Sequence, residues 1–149
     1  MRKLLLLIVV FTVGVSTVAV AAPSQKTSGT VYAGVTHAEG DDLYVSGDFK
    51  DKILGRGAIV YVTTVDASTE PGSFLVKARK ITIYTRKGTL TGSGEAIQTY
   101  NPDGTTSVAD GTFSLTKGTG AYKGHELKGK FEGPQVDGVY QFSYTGRYK

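Results

Sequence analysis

From about residue 29 onward the chain alternates apolar and polar positions, and nowhere does it sustain a 3.6-residue apolar period. A period of two predicts β-strands, and eight segments carry it. Thr30 to His37 places Val31, Ala33, Val35 and His37 on one face; Leu43, Val45 and Phe49 form the apolar face of the second segment. Gly55 to Val65 is apolar on both faces in its middle, as a strand covered twice should be. In Phe74 to Thr85 the pattern slips. Phe74, Val76 and Ala78 share a face but Ile81 and Ile83 fall on the other, so a β-bulge near Arg79-Lys80 is expected to bring them together. Gly88 to Tyr100, Thr106 to Thr116, Ala121 to Phe131 and Gly138 to Tyr148 complete the set, the last with Tyr140, Phe142, Tyr144 and Tyr148 on one face.

Turn chemistry separates these segments: Glu39-Gly40-Asp41-Asp42, Thr69-Glu70-Pro71-Gly72 and Asn101-Pro102-Asp103-Gly104. Short connections predict antiparallel neighbours. Eight such strands predict an all-β fold, a closed eight-stranded antiparallel β-barrel without open edges, with a two-sheet β-sandwich as the alternative.

The first residues follow a different rule. Arg2 and Lys3 precede an uncharged apolar run, Leu4 to Val20, and Ala19-Val20-Ala21 supplies the small residues of a cleavage site. Residues 1–21 therefore read as a signal peptide, 22–28 as a flexible lead-in and 29–149 as one β-barrel domain. The competing reading of the apolar run is an uncleaved membrane anchor. Cleavage predicts a secreted or periplasmic protein with no stable membrane span.

Composition narrows the chemistry. The chain has 149 residues and no cysteine, so disulfides, thiol nucleophiles and cysteine-ligated metals are excluded and stability must come from packing and sheet hydrogen bonds. Removing Arg2 and Lys3 with the leader leaves 15 basic against 13 acidic residues, a net charge of +2. The basic residues are scattered, which argues against a nucleic-acid surface. No metal-binding spacing, nucleophile elbow or acidic calcium loop is present, and no cofactor is expected.

The run GTFSLTKGTGAYKGHELKGKF at 111–131 raises the question of a phosphate cradle. A dinucleotide fingerprint needs glycine where Lys123 stands and a helix afterwards, and a P-loop needs Gly-Lys-Ser/Thr where Gly124-His125-Glu126 stands. Glycines in a tight hairpin at 117–120 and in a coiled strand are the expected alternative. With Phe113, Leu115, Gly118, Gly120, Tyr122, Gly124 and Gly129, this run resembles the core repeat of the allene oxide cyclase and dirigent-protein barrel superfamily and its secreted bacterial relatives. The resemblance covers roughly the last third of the chain. It implies an eight-stranded barrel with a central cavity, assembly into dimers or trimers, and an apolar molecule in the lumen; plant members steer cyclisation or radical coupling.

Six residues are candidates for a ligand site. His37 and His125, the only histidines, share faces with apolar residues. Arg56 and Glu95 are charges within small or apolar strands, and a lumenal pair between them is one expectation. Tyr140 and Tyr144 belong to the aromatic stripe of the last segment, which reads either as core or as a binding wall. No catalytic residue is assigned. Three functions follow: a module holding a small apolar molecule, a cyclase or isomerase acting by confinement, or a structural domain with a filled barrel.

Overall fold

The computed structural model describes residues 23–68, 70–102 and 106–149. The expected signal peptide lies outside these residues, as do Thr69 and Asp103-Gly104 of the expected turns. Eight strands run in chain order: β1 (Gln25–Glu39), β2 (Asp42–Asp51), β3 (Gly55–Ala67), β4 (Ser73–Thr85), β5 (Gly88–Tyr100), β6 (Thr106–Gly118), β7 (Leu127–Val136) and β8 (Val139–Tyr148). Each pairs antiparallel with its successor, and β8 returns to β1 with Gly34 opposite Val139 and Gln25 opposite Tyr148, closing the barrel. Closure gives every strand two neighbours and leaves no ladder of unpaired amides.

Alternation decides what fills the barrel. Val31 and Ala33 on β1, Val45 and Phe49 on β2, Ile59 on β3, Ile81 and Ile83 on β4, Leu90 on β5, Leu115 on β6, Leu127 on β7, and Tyr140 and Tyr144 on β8 are buried and form one core. The slip in β4 is a bulge where it was expected: Ala78 pairs with Gly94 and Ile81 with Gly92, leaving Arg79-Lys80 out of step. The bulge returns Ile81 and Ile83 to the face that carries Val76 and Ala78, which all line the interior. A second shift, between Thr91 and Gly92 of β5, lets Thr116 on β6 loop past its partners.

Two segments differ from expectation. The lead-in is already strand from Gln25, because Thr27 donates from its hydroxyl to the Asp51 carboxylate at 2.7 Å and is buried against it. The seventh strand starts at Leu127 rather than Ala121. Between β6 and β7 the chain makes a single 3-10 turn, Gly120–Tyr122, in place of a tight hairpin. Thr119 and Ala121 donate their amides to the Thr89 and Lys87 carbonyls of the neighbouring hairpin. A Cβ at Gly118 would lie 1.7 Å from the Tyr122 carbonyl oxygen, so only glycine lets the chain fold back here. The turn carries Tyr122 over the barrel end, where it is 4% exposed.

Other glycines make room for rings. A Cβ at Gly29 would sit 2.6 Å from the Tyr144 ring, and one at Gly111 would sit 2.6 Å from the Phe131 ring. Each aromatic therefore lies flat over a bare backbone on an adjacent strand, which fills the barrel while allowing it to coil.

Candidate functional site

The interior holds a cavity of about 90 Å³, whose wall includes Val31, Phe49, Ile59, Tyr61, Ala96 and Ala109. For scale, an apolar cavity of about 150 Å³ accommodates benzene. The rings that border it touch one another: Phe49 stacks on Tyr144 with centroids 6.0 Å apart, and Phe113 meets Tyr144 edge-on at 5.4 Å. What remains is a narrow space whose two ends differ.

At one end, where β2 turns into β3, the barrel is sealed. Leu54, Leu90, Leu115 and Leu127 are buried there, and the Tyr122 hydroxyl hydrogen-bonds the Thr85 hydroxyl at 2.9 Å. Asp51 lies beneath the cavity, 5% exposed. A buried carboxylate is costly unless satisfied, and this one is met by four donors. Its Oδ1 accepts the amides of Ile53 and Leu54 at 2.6 and 2.7 Å. Its Oδ2 accepts the hydroxyls of Thr27 and Tyr144 at 2.7 and 2.6 Å. Burial, and after it the hydrogen bond to Asp51 and that carboxylate's charge, hold the Tyr144 phenol far above its ordinary ionisation range.

At the other end, inward-directed positions open to solvent. Phe74 and Tyr100, in edge-on contact at 5.4 Å, are 39% and 44% exposed. Just inside this mouth, Gln98 and Ser107 are 3% and 2% exposed. The Gln98 amide nitrogen donates to Ser107 Oγ at 2.7 Å and to Gln135 Oε1 at 2.9 Å, and Ser107 donates to the same Gln135 oxygen at 3.1 Å. Gln135 also hydrogen-bonds the Tyr140 phenol, whose ionisation is nevertheless raised, by burial first and by neighbouring Tyr100 second. Further along the wall, burial, and then Tyr140, push the Tyr61 phenol far upward. Thr63 Oγ1 donates to the Lys77 carbonyl at 3.0 Å, satisfying main chain loosened by the β4 bulge.

Of the six residues singled out from sequence, Tyr140 and Tyr144 line the cavity. The other four do not bring side chains into it. Arg56 does share a face with Ala58, Val60 and Val62, but that face is the outer wall, because Ile59 and Thr63 are the buried positions of β3. Glu95 borders the cavity between Gly94 and Ala96, yet alternation turns its carboxylate outward beside Lys77, its register partner. Arg56 and Glu95 therefore do not form a lumenal pair. His37 is exposed at the mouth, displaced by a register shift after Val35, with its ring 5.5 Å from Tyr44. His125 precedes β7 at the sealed end, where its ring stacks on Tyr148 at 5.0 Å and Nδ1 lies 3.1 Å from the Lys149 carbonyl.

Sequence reasoning selects none of Asp51, Gln98, Ser107 and Gln135. The signal was available in the alternation: Gln98 lies in phase with Leu90 and Ala96, and Gln135 with Leu127 and Phe131. An amide in phase with a buried apolar stripe must be paired inside the barrel. Among the described residues no group of three metal-ligating side chains gathers, and no helix is long and apolar enough to cross a membrane. Comparison with protein-family models, curated proteins and solved structures returned no match to the chain.

Proposed function

We propose that the protein is an exported barrel that holds a small apolar molecule, or the apolar end of a longer one, in its lumen. The observation that carries this is the cavity itself: about 90 Å³ of space among apolar walls, beneath a mouth where Phe74 and Tyr100 are exposed. Apolar cavities stay dry and take apolar guests of matching size, and this one matches a short chain or the end of a longer one. The allene oxide cyclase and dirigent-like pattern at 111–131 supports the same reading, and the residue 1–21 pattern supports delivery across a membrane. That resemblance also brings assembly as a dimer or trimer, for which the exposed Tyr32, Tyr84 and Val108 offer apolar outer surface.

If a reaction accompanies binding, confinement is the mechanism the lumen favours, as in cyclisation or isomerisation of a bound intermediate. The phenols of Tyr61, Tyr140 and Tyr144 all have raised ionisation, so at neutral pH they hold their protons and serve as donors rather than bases. Asp51 has its lone pairs engaged by four donors and faces the sealed end. A filled structural barrel is the second reading, favoured by the contacts among Phe49, Phe113, Phe131 and Tyr144.

Titration with 1-pentene, a neutral hydrocarbon on the scale of the cavity, followed by NMR shifts of the lumenal methyl groups, alongside native mass spectrometry of protein from its own host, separates the two. Lumen binding predicts saturable uptake that falls at least tenfold in Ala109→Phe, which fills the cavity from β6, with circular dichroism confirming the fold. The smaller Ala96→Leu provides the same block if the phenylalanine overpacks the core. Absence of saturable uptake in the native protein sinks lumen binding and leaves the filled barrel.

A further inference from the structure

The cluster of Gln98, Ser107 and Gln135 is more than a satisfied polar patch. It stands inside the barrel on β5, β6 and β7, at the end of the cavity nearest the mouth, with Gln98 and Tyr140 both in the cavity wall. A core built only for stability gains nothing from an amide and a hydroxyl that are 3% and 2% exposed, since apolar residues of similar shape replace such groups at little cost or with gain. Amides and hydroxyls together offer both donors and acceptors, and neither carries charge.

The surroundings specify what such a cluster can recognise. Every described lysine and arginine is exposed, so no cation faces the lumen. The turns around the mouth are rich in acid, with Glu39, Asp41, Asp42, Asp66, Glu70 and Asp137, of which Asp42 and Asp66 are paired to Arg79 and Lys77. At the far end the buried Asp51 adds another carboxylate. A ligand carboxylate would lose its hydration and meet no cation in return. A ligand ammonium finds acids at the rim, but none beside the amide cluster in the cavity wall.

We infer that the lumen takes a neutral amphiphile: an apolar chain or ring directed toward Phe49 and Tyr144, and an uncharged hydroxyl or carbonyl head read by Gln98 and Gln135 at the mouth. This rests on the lumen-binding reading and adds the ligand's polarity and orientation to it. The amides already bond one another, so an apolar guest leaves none of them unmatched; an uncharged head adds a hydrogen bond of its own to this network, which a bare hydrocarbon cannot make.

The same NMR titration with five-carbon probes tests it: 1-pentanol, 2-pentanone, 1-pentene, pentanoate at pH 8 and pentylammonium. The alcohol and ketone should bind at least tenfold tighter than the alkene, the carboxylate and the ammonium. In Gln135→Leu that preference should collapse, with the alcohol weakening about tenfold to the level of the alkene while the alkene binds as before. Gln135 is half-buried, so the isosteric Gln135→Met gives the same readout if leucine disturbs folding. Equal binding of alcohol and alkene by the native protein overturns the inference, as does a preference for pentanoate or pentylammonium, or a preference that survives both substitutions. In each of those cases the alkene still binds and lumen binding stands; uptake of no probe at all removes both.

Discussion

The two ends of this barrel use buried polar groups in opposite ways. At the sealed end, Asp51 draws in two main-chain amides, Thr27 from β1 and Tyr144 from β8, so one carboxylate fastens the β2–β3 turn to the seam that closes the ring. At the mouth, Gln98, Ser107 and Gln135 join three successive strands that already pair along their backbones. The first cluster also takes up the Ile53 and Leu54 amides of a turn that lies outside the strands; the second joins only side chains of strands that the sheet already pairs. Polar burial that adds no structural constraint points toward recognition, and the contrast can be measured.

The largest effect falls on the floor. Asp51→Ala strands four donors and should cost about 3–5 kcal/mol by chemical denaturation, as breaking a buried charged network does. Asp51→Asn, which keeps an oxygen for the two amides, should cost less than half of that. Comparable losses from Gln135→Leu at the mouth would erase the distinction between the two ends.

Alkaline titration gives the next effect. Folded-state ionisation of Tyr61 and Tyr144 is raised, so the stability they contribute is fully present below the unfolded phenol value of about 10 and is lost as pH rises beyond it. Above that pH the unfolded chain binds fewer protons than the native one, and stability should fall by about 1.4 kcal/mol per pH unit for each phenol. Tyr144→Phe should remove one of these contributions and make the decline shallower. A slope unchanged by that substitution would show that the floor phenol does not remain protonated in the native state.

The smallest effect concerns the outer wall. Arg79, released by the β4 bulge, pairs with Asp42 at the start of β2, yet its side chain is 56% exposed. Arg79→Ala should change stability by no more than about 1 kcal/mol, and less in high salt. A larger loss would mean that the mouth, too, is fastened by charge.

Much of this architecture is legible in the alternation of residues, for a physical reason: a half-buried strand must show one apolar face. The slip between Ala78 and Ile81 discloses the bulge, and Tyr140, Phe142 and Tyr144 fall in one inward phase. Arg56 was misdirected because β3 is apolar on both sides; Ala58 and Val60 compete with Ile59 and Tyr61, and only closure of the ring decides which side is inside. The mouth cluster escaped because its members come from three strands and a glutamine carries no sign of its pairing until the register is known. Tyr122 reads as a strand residue in the alternation, since nothing local announces that it folds over the sealed end.

Joining β1 to β8 has a consequence for how the chain reaches its native state. Gln25 and Tyr148 become neighbours only after nearly the whole described sequence has been made, so the ring forms through contacts between its most distant segments. Until β8 arrives, β1 and β7 each offer a bare row of amides and carbonyls to any passing strand. Such a topology folds slowly. A copy whose β8 is not yet in place is thus the one most open to association with its siblings.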